Sequence, residues 1–169
     1  MEPAAQTKNC VLDEASIKRK LRRLALQVAE MNAEETEIIV AGINGNGEVL
    51  AKCLLDELKK IGSVNTTYVQ IQLNKKEPFE VAIKPSSDFN NKVVLIVDDV
   101  ANTGKTILYA LKPFLNTSPK KIQTLVLVER SHKLFPVQTD YAGLSIATTL
   151  QEHITVETEG NKILGAWLH

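Results

Sequence analysis

Two adjacent carboxylates, Asp98 and Asp99, are followed within seven residues by the small, polar run Ala101-Asn102-Thr103-Gly104-Lys105-Thr106. Paired carboxylates at the end of a strand can accept hydrogen bonds from the vicinal hydroxyls of a ribose. A Thr-Gly-Lys-Thr turn that opens a helix can hold a phosphate on its backbone N–H groups, with the hydroxyls of Thr103 and Thr106 as further donors. Together they could hold a sugar phosphate by both its ends. A mere helix-capping role for the two acids is the weaker reading, because an apolar strand precedes them and a phosphate-type turn follows. The Gly104-Lys105-Thr106 triplet also invites a P-loop reading. It fails, since the P-loop glycine five places before Gly104 is Asp99 here.

The elements that must position these residues are legible around them. Val93 to Val97 is an unbroken apolar, β-branched run, as expected of a strand buried on both faces, and Ile107 opens a helical pattern. A second strand-loop-helix unit precedes it. Glu37 to Ile43 reads as a strand, Asn44-Gly45-Asn46-Gly47 as a tight loop, and Glu48 to Ile61 as a helix stopped by Gly62. The loop can offer backbone N–H groups to an anion, although ordinary turns use the same residues. Upstream, Ile17, Leu21, Leu24, Val28 and Met31 form one apolar stripe on a helix spanning Asp13 to Asn32, with Asp13 as N-cap. The basic cluster from Lys18 to Arg23 reads as a solvated face of that helix.

Thr66 to Leu73 reads as a strand. Residues 74–91 are polar and irregular, and Phe79, Val81 and Ile83 suit an edge hairpin that could lie over the crevice as a flap. Thr106 to Leu115 reads as a helix interrupted near Pro113, and Ile122 to Val128 as another buried strand. Tyr141 to Thr148 and Ile154 to Val156 read as short strands, and Glu157 to Leu168 as a hairpin turning at Glu159-Gly160-Asn161. Alternating strands and helices predict an α/β fold: an open, mainly parallel twisted sheet flanked by helices, with a small C-terminal β subregion. No linker divides the chain, so residues 1–169 are expected to form one domain.

The bulk properties exclude several classes. The chain has 169 residues and a net charge of zero, which argues against disorder and against a strongly basic nucleic-acid footprint. Cys10 and Cys53 show no metal-ligand spacing, so both are expected as reduced thiols of a cytoplasmic protein, with Cys53 filling helix core. Residues 1–10 are polar, contain Pro3 and lack the apolar region of a signal peptide. No apolar run is long enough to span a bilayer.

The stretch Val97 to Thr106 resembles the phosphoribosyl-pyrophosphate (PRPP) motif of type I phosphoribosyltransferases. Leu12-Asp13-Glu14, Ala41-Gly42-Ile43 with Leu50-Ala51-Lys52, and Leu127 to His132 with Pro136 and Asp140 to Gly143 are similar to the pyrimidine-operon regulator and uracil phosphoribosyltransferase subfamily. The resemblance implies that a nucleobase, uracil favoured, displaces pyrophosphate from C1 of PRPP, with Mg2+ on the diphosphate. It assigns the ribose hydroxyls to Asp98 and Asp99, the 5′-phosphate to Ala101 through Thr106, and the pyrophosphate to Asn44, Gly45, Asn46 and Gly47. It places Val128 and Tyr141 to Ile146 in a base-binding hood, and it is compatible with a homodimer or higher homo-oligomer.

Two positions depart from the subfamily's pattern. Asn46 stands where the subfamily has an arginine, so a cation facing the leaving group is missing, and neutral donors are about half as strong as charged ones. Residues 72–91 contain neither the arginine nor the tyrosine of the family's flexible loop, and Lys75, Lys76 or Lys84 are the available substitutes. A PRPP- or nucleotide-binding regulatory protein with little catalysis therefore stays open beside the transferase. Arg23, His132 and Lys133 match or resemble the subfamily's RNA-contacting residues. Leu26, Met31, Gln138 and Leu144 replace expected histidine or basic residues, which disfavours an RNA attenuator.

Overall fold

A computed structural model describes residues 8–169, so most of the polar leader of residues 1–10 lies outside the described residues. The main sheet has six strands in the order β4-β3-β2-β5-β6-β7. They are β2 (Glu37–Ile43), β3 (Asn65–Gln72), β4 (Ala82–Lys84), β5 (Val93–Ala101), β6 (Lys121–Arg130) and β7 (Tyr141–Ile146). All pairs are parallel except β3 with the short edge strand β4. The edge hairpin expected around Val81 and Ile83 is this β3–β4 pair, with Ile83 opposite Ile71.

The period-two alternation of the central strands builds two cores, one on each face. Ile38, Val40, Val93, Leu95 and Val97 face the layer formed by α1 (Glu14–Met31) and α2 (Asn46–Ile61). Ile39, Ala41, Ile43, Val94 and Ile96 face the opposite way and pack with Phe89 and Phe114, whose rings meet edge to face at 4.8 Å. Asp13 caps α1 as expected, its carboxylate accepting from the Ser16 N–H at 2.7 Å. The helix after the central strand is shorter than the sequence pattern suggested. It comprises α3 (Lys105–Ala110) followed by a 3-10 turn at Lys112–Asn116, because Pro113 cannot extend the α-helical hydrogen bonding.

A separate three-stranded antiparallel sheet, in the order β1-β9-β8, stands over the carboxyl ends of the central strands. It joins β1 (Asn9–Leu12), β8 (Ile154–Glu159) and β9 (Lys162–Leu168). This corrects the placement of the hood. Val128 and Tyr141 lie in the main sheet, both buried, and Ile146 packs against the same core. β6 is buried along its middle, and the Tyr141 hydroxyl donates to Gln123 Oε1 inside the protein. The free edge of β7 is capped by basic side chains: Lys20 donates to the Gly143 carbonyl, and Arg23 donates to those of Ala142 and Gly143. Two members of the basic cluster thus reach an open strand edge, while Lys18, Arg19, Arg22 and Arg23 stay exposed as expected of a solvated face. Cys53 is half-buried and packs against the main core as expected, with its thiol 3.4 Å from the Asn161 carbonyl at the β8–β9 turn. Among the described residues, no helix is long and apolar enough to cross a membrane.

Candidate active site

Strand order fixes where a ligand can sit. From β2 the chain moves outward to β3 on one side, whereas β5 lies on the other side of β2 and leads on to β6. The loops after β2 and β5 therefore part at a topological switch point, outside the carboxyl ends of two adjacent parallel strands. Asn44 to Gly47 follows the first strand, and Asp98 to Gly104 ends the second.

A cavity of about 180 Å3 lies there, lined by Asp98 through Ile107, with Lys75 and Ile154 closing its sides. All eight residues that the sequence pattern singled out for sugar and phosphate, Asp98, Asp99 and Ala101 to Thr106, thus share one space. Gly104 holds φ at +87°, a left-handed conformation, and an added Cβ would meet Val137 Cγ2 at 2.5 Å. The Thr103 hydroxyl accepts from the Lys105 N–H, which closes the turn on itself. From outside, Leu134 and Phe135 both donate their N–H groups to the Thr103 carbonyl. The stretch after β6 thereby buttresses the turn without lining the cavity.

The two acids differ in environment. Asp98 is buried, its Oδ1 accepting from the Asp99 N–H at 2.9 Å and from Lys75 Nζ at 3.2 Å. Burial is the main force that raises its pKa, to about 8, and the neighbouring Asp99 adds to it, while Lys75 opposes both. Asp99 is more open and lies 3.7 Å from the same ammonium. Burial draws the Lys75 pKa down, but the attraction of Asp98 and Asp99 outweighs this and leaves it raised. One lysine from the irregular 74–91 segment thus sits on the acid pair.

The loop after β2 is arranged differently. Gly47 begins the helix pressed so closely on β5 that a Cβ would lie 2.8 Å from Asp98 Oδ1 and 3.0 Å from the Val97 carbonyl. The Asn46 side chain turns inward. Its amide donates to the Val156 carbonyl at 2.8 Å and to Asp99 Oδ2 at 3.3 Å, and its Oδ1 accepts from Thr158 Oγ1 at 3.0 Å. Asn44 Oδ1 accepts from the Leu73 N–H, tying the loop to the end of β3. Sequence reasoning named Asn46 as a missing cation and did not foresee these contacts, two of which are to a strand more than 100 residues away. It also did not anticipate Ile154 in the cavity wall.

The donor set bears on a divalent cation. Among the described residues no three histidine, cysteine or acidic side chains cluster as a metal cage. Two neighbouring carboxylates with an ammonium between them fit instead an ion held mainly by a substrate's phosphates, as is usual for Mg2+.

A family profile described as the phosphoribosyl transferase domain matches residues 9–159. The bifunctional protein PyrR of Staphylococcus haemolyticus is 33% identical over 156 residues, covering 86% of this chain and 89% of that protein. PyrR of Bacillus pumilus is 33% identical over 164 residues, covering 90% and 91%. Among solved structures, the hypoxanthine phosphoribosyltransferase of Trypanosoma cruzi superposes with a TM-score of 0.77 at 16% identity, covering 93% of this chain and 95% of that one. A hypoxanthine-guanine phosphoribosyltransferase from Bacillus anthracis gives 0.71 at 21% identity, covering 84% of each chain. The structural likeness carries the fold, the profile and the PyrR relatives carry the family, and this chain belongs to the phosphoribosyltransferases.

Proposed function

We propose that this protein transfers the 5-phosphoribosyl group from PRPP to a nucleobase, releasing pyrophosphate, and that the base is uracil. The observation that carries the reading is the shared cavity of Asp98, Asp99 and the Thr103–Thr106 turn at the switch point. Uracil is favoured because the PyrR relatives match over nearly their whole length and resemble this chain in the motifs quoted above.

In this reading Asp98 and Asp99 accept hydrogen bonds from the two ribose hydroxyls and fix the sugar ring. The turn from Ala101 to Thr106 holds the 5′-phosphate through backbone N–H groups and the hydroxyls of Thr103 and Thr106. With both ends of the sugar fixed, C1 is held at one place in the crevice, and positioning supplies much of the rate. Carboxylates beside the ring also favour the positive charge that develops on the ribose as the leaving group departs. Mg2+, bound with the diphosphate and held by Asp98 and Asp99, would supply charge neutralisation on the leaving group. Lys75 must leave the acid pair as the ligand enters.

The experiment is an assay of pyrophosphate release from PRPP with Mg2+ across pyrimidine and purine bases. Release with uracil, abolished by Asp99→Asn, is expected; release with no base in the panel would overturn the transferase reading. A second reading, a nucleotide-binding regulator, draws on Asn46, whose side chain is committed inward and leaves the pyrophosphate loop without a side-chain cation. It expects tight PRPP or nucleotide binding with no base-dependent release.

A further inference from the structure

We propose that Asn46 is a positioning residue that latches the β8 hood to the ribose-binding acid pair. The inference rests on the ribose-phosphate reading of Asp98 and Asp99. Asn46 joins three parts of the chain: the start of α2, the end of β5 through Asp99 Oδ2, and β8 through the Val156 carbonyl and the Thr158 hydroxyl. Its side chain uses both amide functions, donating on one side and accepting on the other. A cationic side chain at this position could not do the same, since arginine has no acceptor for Thr158. The substitution that removes a charge from the loop therefore creates a link.

The link has two consequences. First, it orients Asp99. Of the four carboxylate oxygens, Asp98 Oδ1 and Asp99 Oδ1 face Lys75, and Asp99 Oδ2 faces the Asn46 amide. When Lys75 withdraws, Asn46 is the contact that keeps the Asp99 carboxylate turned for a diol. Second, it sets the size of the site. The cavity of about 180 Å3 is smaller than the roughly 300 Å3 at which small-molecule sites begin, and Ile154 of β8 closes one side. The Asn46 contacts to Val156 and Thr158 hold β8, and with it Ile154, against this space, so the wall and the Asp99 carboxylate are fixed through one side chain.

The test measures how well the protein discriminates a ribose diol. Native protein is titrated calorimetrically with ribose 5-phosphate and with 2-deoxyribose 5-phosphate, and so are Asn46→Ala, Thr158→Val, the double variant, Asp98→Asn and Asp99→Asn. Native protein is expected to prefer ribose by about tenfold, the worth of one charge-assisted hydrogen bond. Asn46→Ala is expected to bring that ratio near one while affinity for the deoxy sugar stays within about twofold. A merely structural loss would weaken both ligands alike. Thr158→Val is expected to have a smaller effect of the same kind, and adding it to Asn46→Ala should cause no further loss, since both remove one link. An unchanged ribose preference in Asn46→Ala, with the preference lost in Asp99→Asn, overturns the latch alone. A preference unchanged in Asp99→Asn and in Asp98→Asn alike overturns the ribose-site reading beneath it.

Discussion

The loops after β2 and β5 are built to the same local plan and do opposite work. Each follows a buried parallel strand, turns on glycine and enters a helix at the switch point. The loop after β5 keeps its functional groups toward the cavity: two carboxylates, then a turn whose backbone is free to face a phosphate. The loop after β2 spends its groups on the protein itself. Gly47 packs on Asp98, Asn44 binds the end of β3, and Asn46 binds Asp99 and the hood. One loop forms the site and the other braces it. Strand-loop-helix composition alone does not distinguish the two roles. The distinguishing feature is what stands opposite each loop.

Replacing glycines in the two loops sharpens this contrast. Gly104→Ala combines a left-handed backbone with a methyl 2.5 Å from Val137. It is expected to cost about 2–4 kcal/mol of stability, from a conformational penalty of about 1–2 and an overlap of similar size. Denaturant unfolding measures it, and a loss below about 1 kcal/mol would mean the turn relaxes freely. Gly47→Ala has no backbone penalty of that kind, and its methyl presses on Asp98 and the Val97 carbonyl. It is expected to cost about 1–2 kcal/mol and to weaken sugar-phosphate binding with it, because the overlap falls on a ligand-binding carboxylate. Unchanged affinity would show that the bracing loop does not set the position of the acid pair.

The buried acid gives an effect with a definite sign. Asp98 is raised from 3.8 to about 8 in the fold, so between those values the folded chain holds a proton that the unfolded chain has released. Stability is therefore expected to fall as pH rises through that window and to level off above it. Asp98→Asn should flatten this slope and make the ligand-free protein more stable at high pH, even as it removes binding. A native slope of opposite sign would show that Lys75 holds Asp98 ionised.

Lys75→Met is expected to have the smallest effect. The side chain is 44% exposed, so loss of its ion pair should change stability by less than about 1 kcal/mol. Because the ligand then displaces no cation, affinity for ribose 5-phosphate is expected to rise about two- to fivefold, the equivalent of less than about 1 kcal/mol. A tenfold fall would assign Lys75 to phosphate binding.

The parts that the sequence revealed and those it concealed divide along similar lines. β5 was legible because a central parallel strand is buried on both faces and reads as one apolar run. The acid pair and its turn were legible because their chemistry is local. The hood was not. β1 pairs Asn9 with Leu168, and four residues with two exposed positions carry no periodicity that would reveal the pairing. Val128 and Tyr141 were placed in the hood because their motifs resemble the family's base-binding region, whereas strand pairing puts them in the main sheet. The direction of the Asn46 side chain depends on Val156 and Thr158, so no local pattern could show it.

The central claim is that Asp98, Asp99 and the Thr103–Thr106 turn form one ribose-5-phosphate site. It is tested most directly by calorimetric titration of PRPP with Mg2+ into native protein and into the variant carrying both Asp98→Asn and Asp99→Asn. Two charge-assisted hydrogen bonds of about 1.5–3 kcal/mol each predict at least a hundredfold loss of affinity in a variant that remains folded. Equal affinity in both proteins would contradict the account.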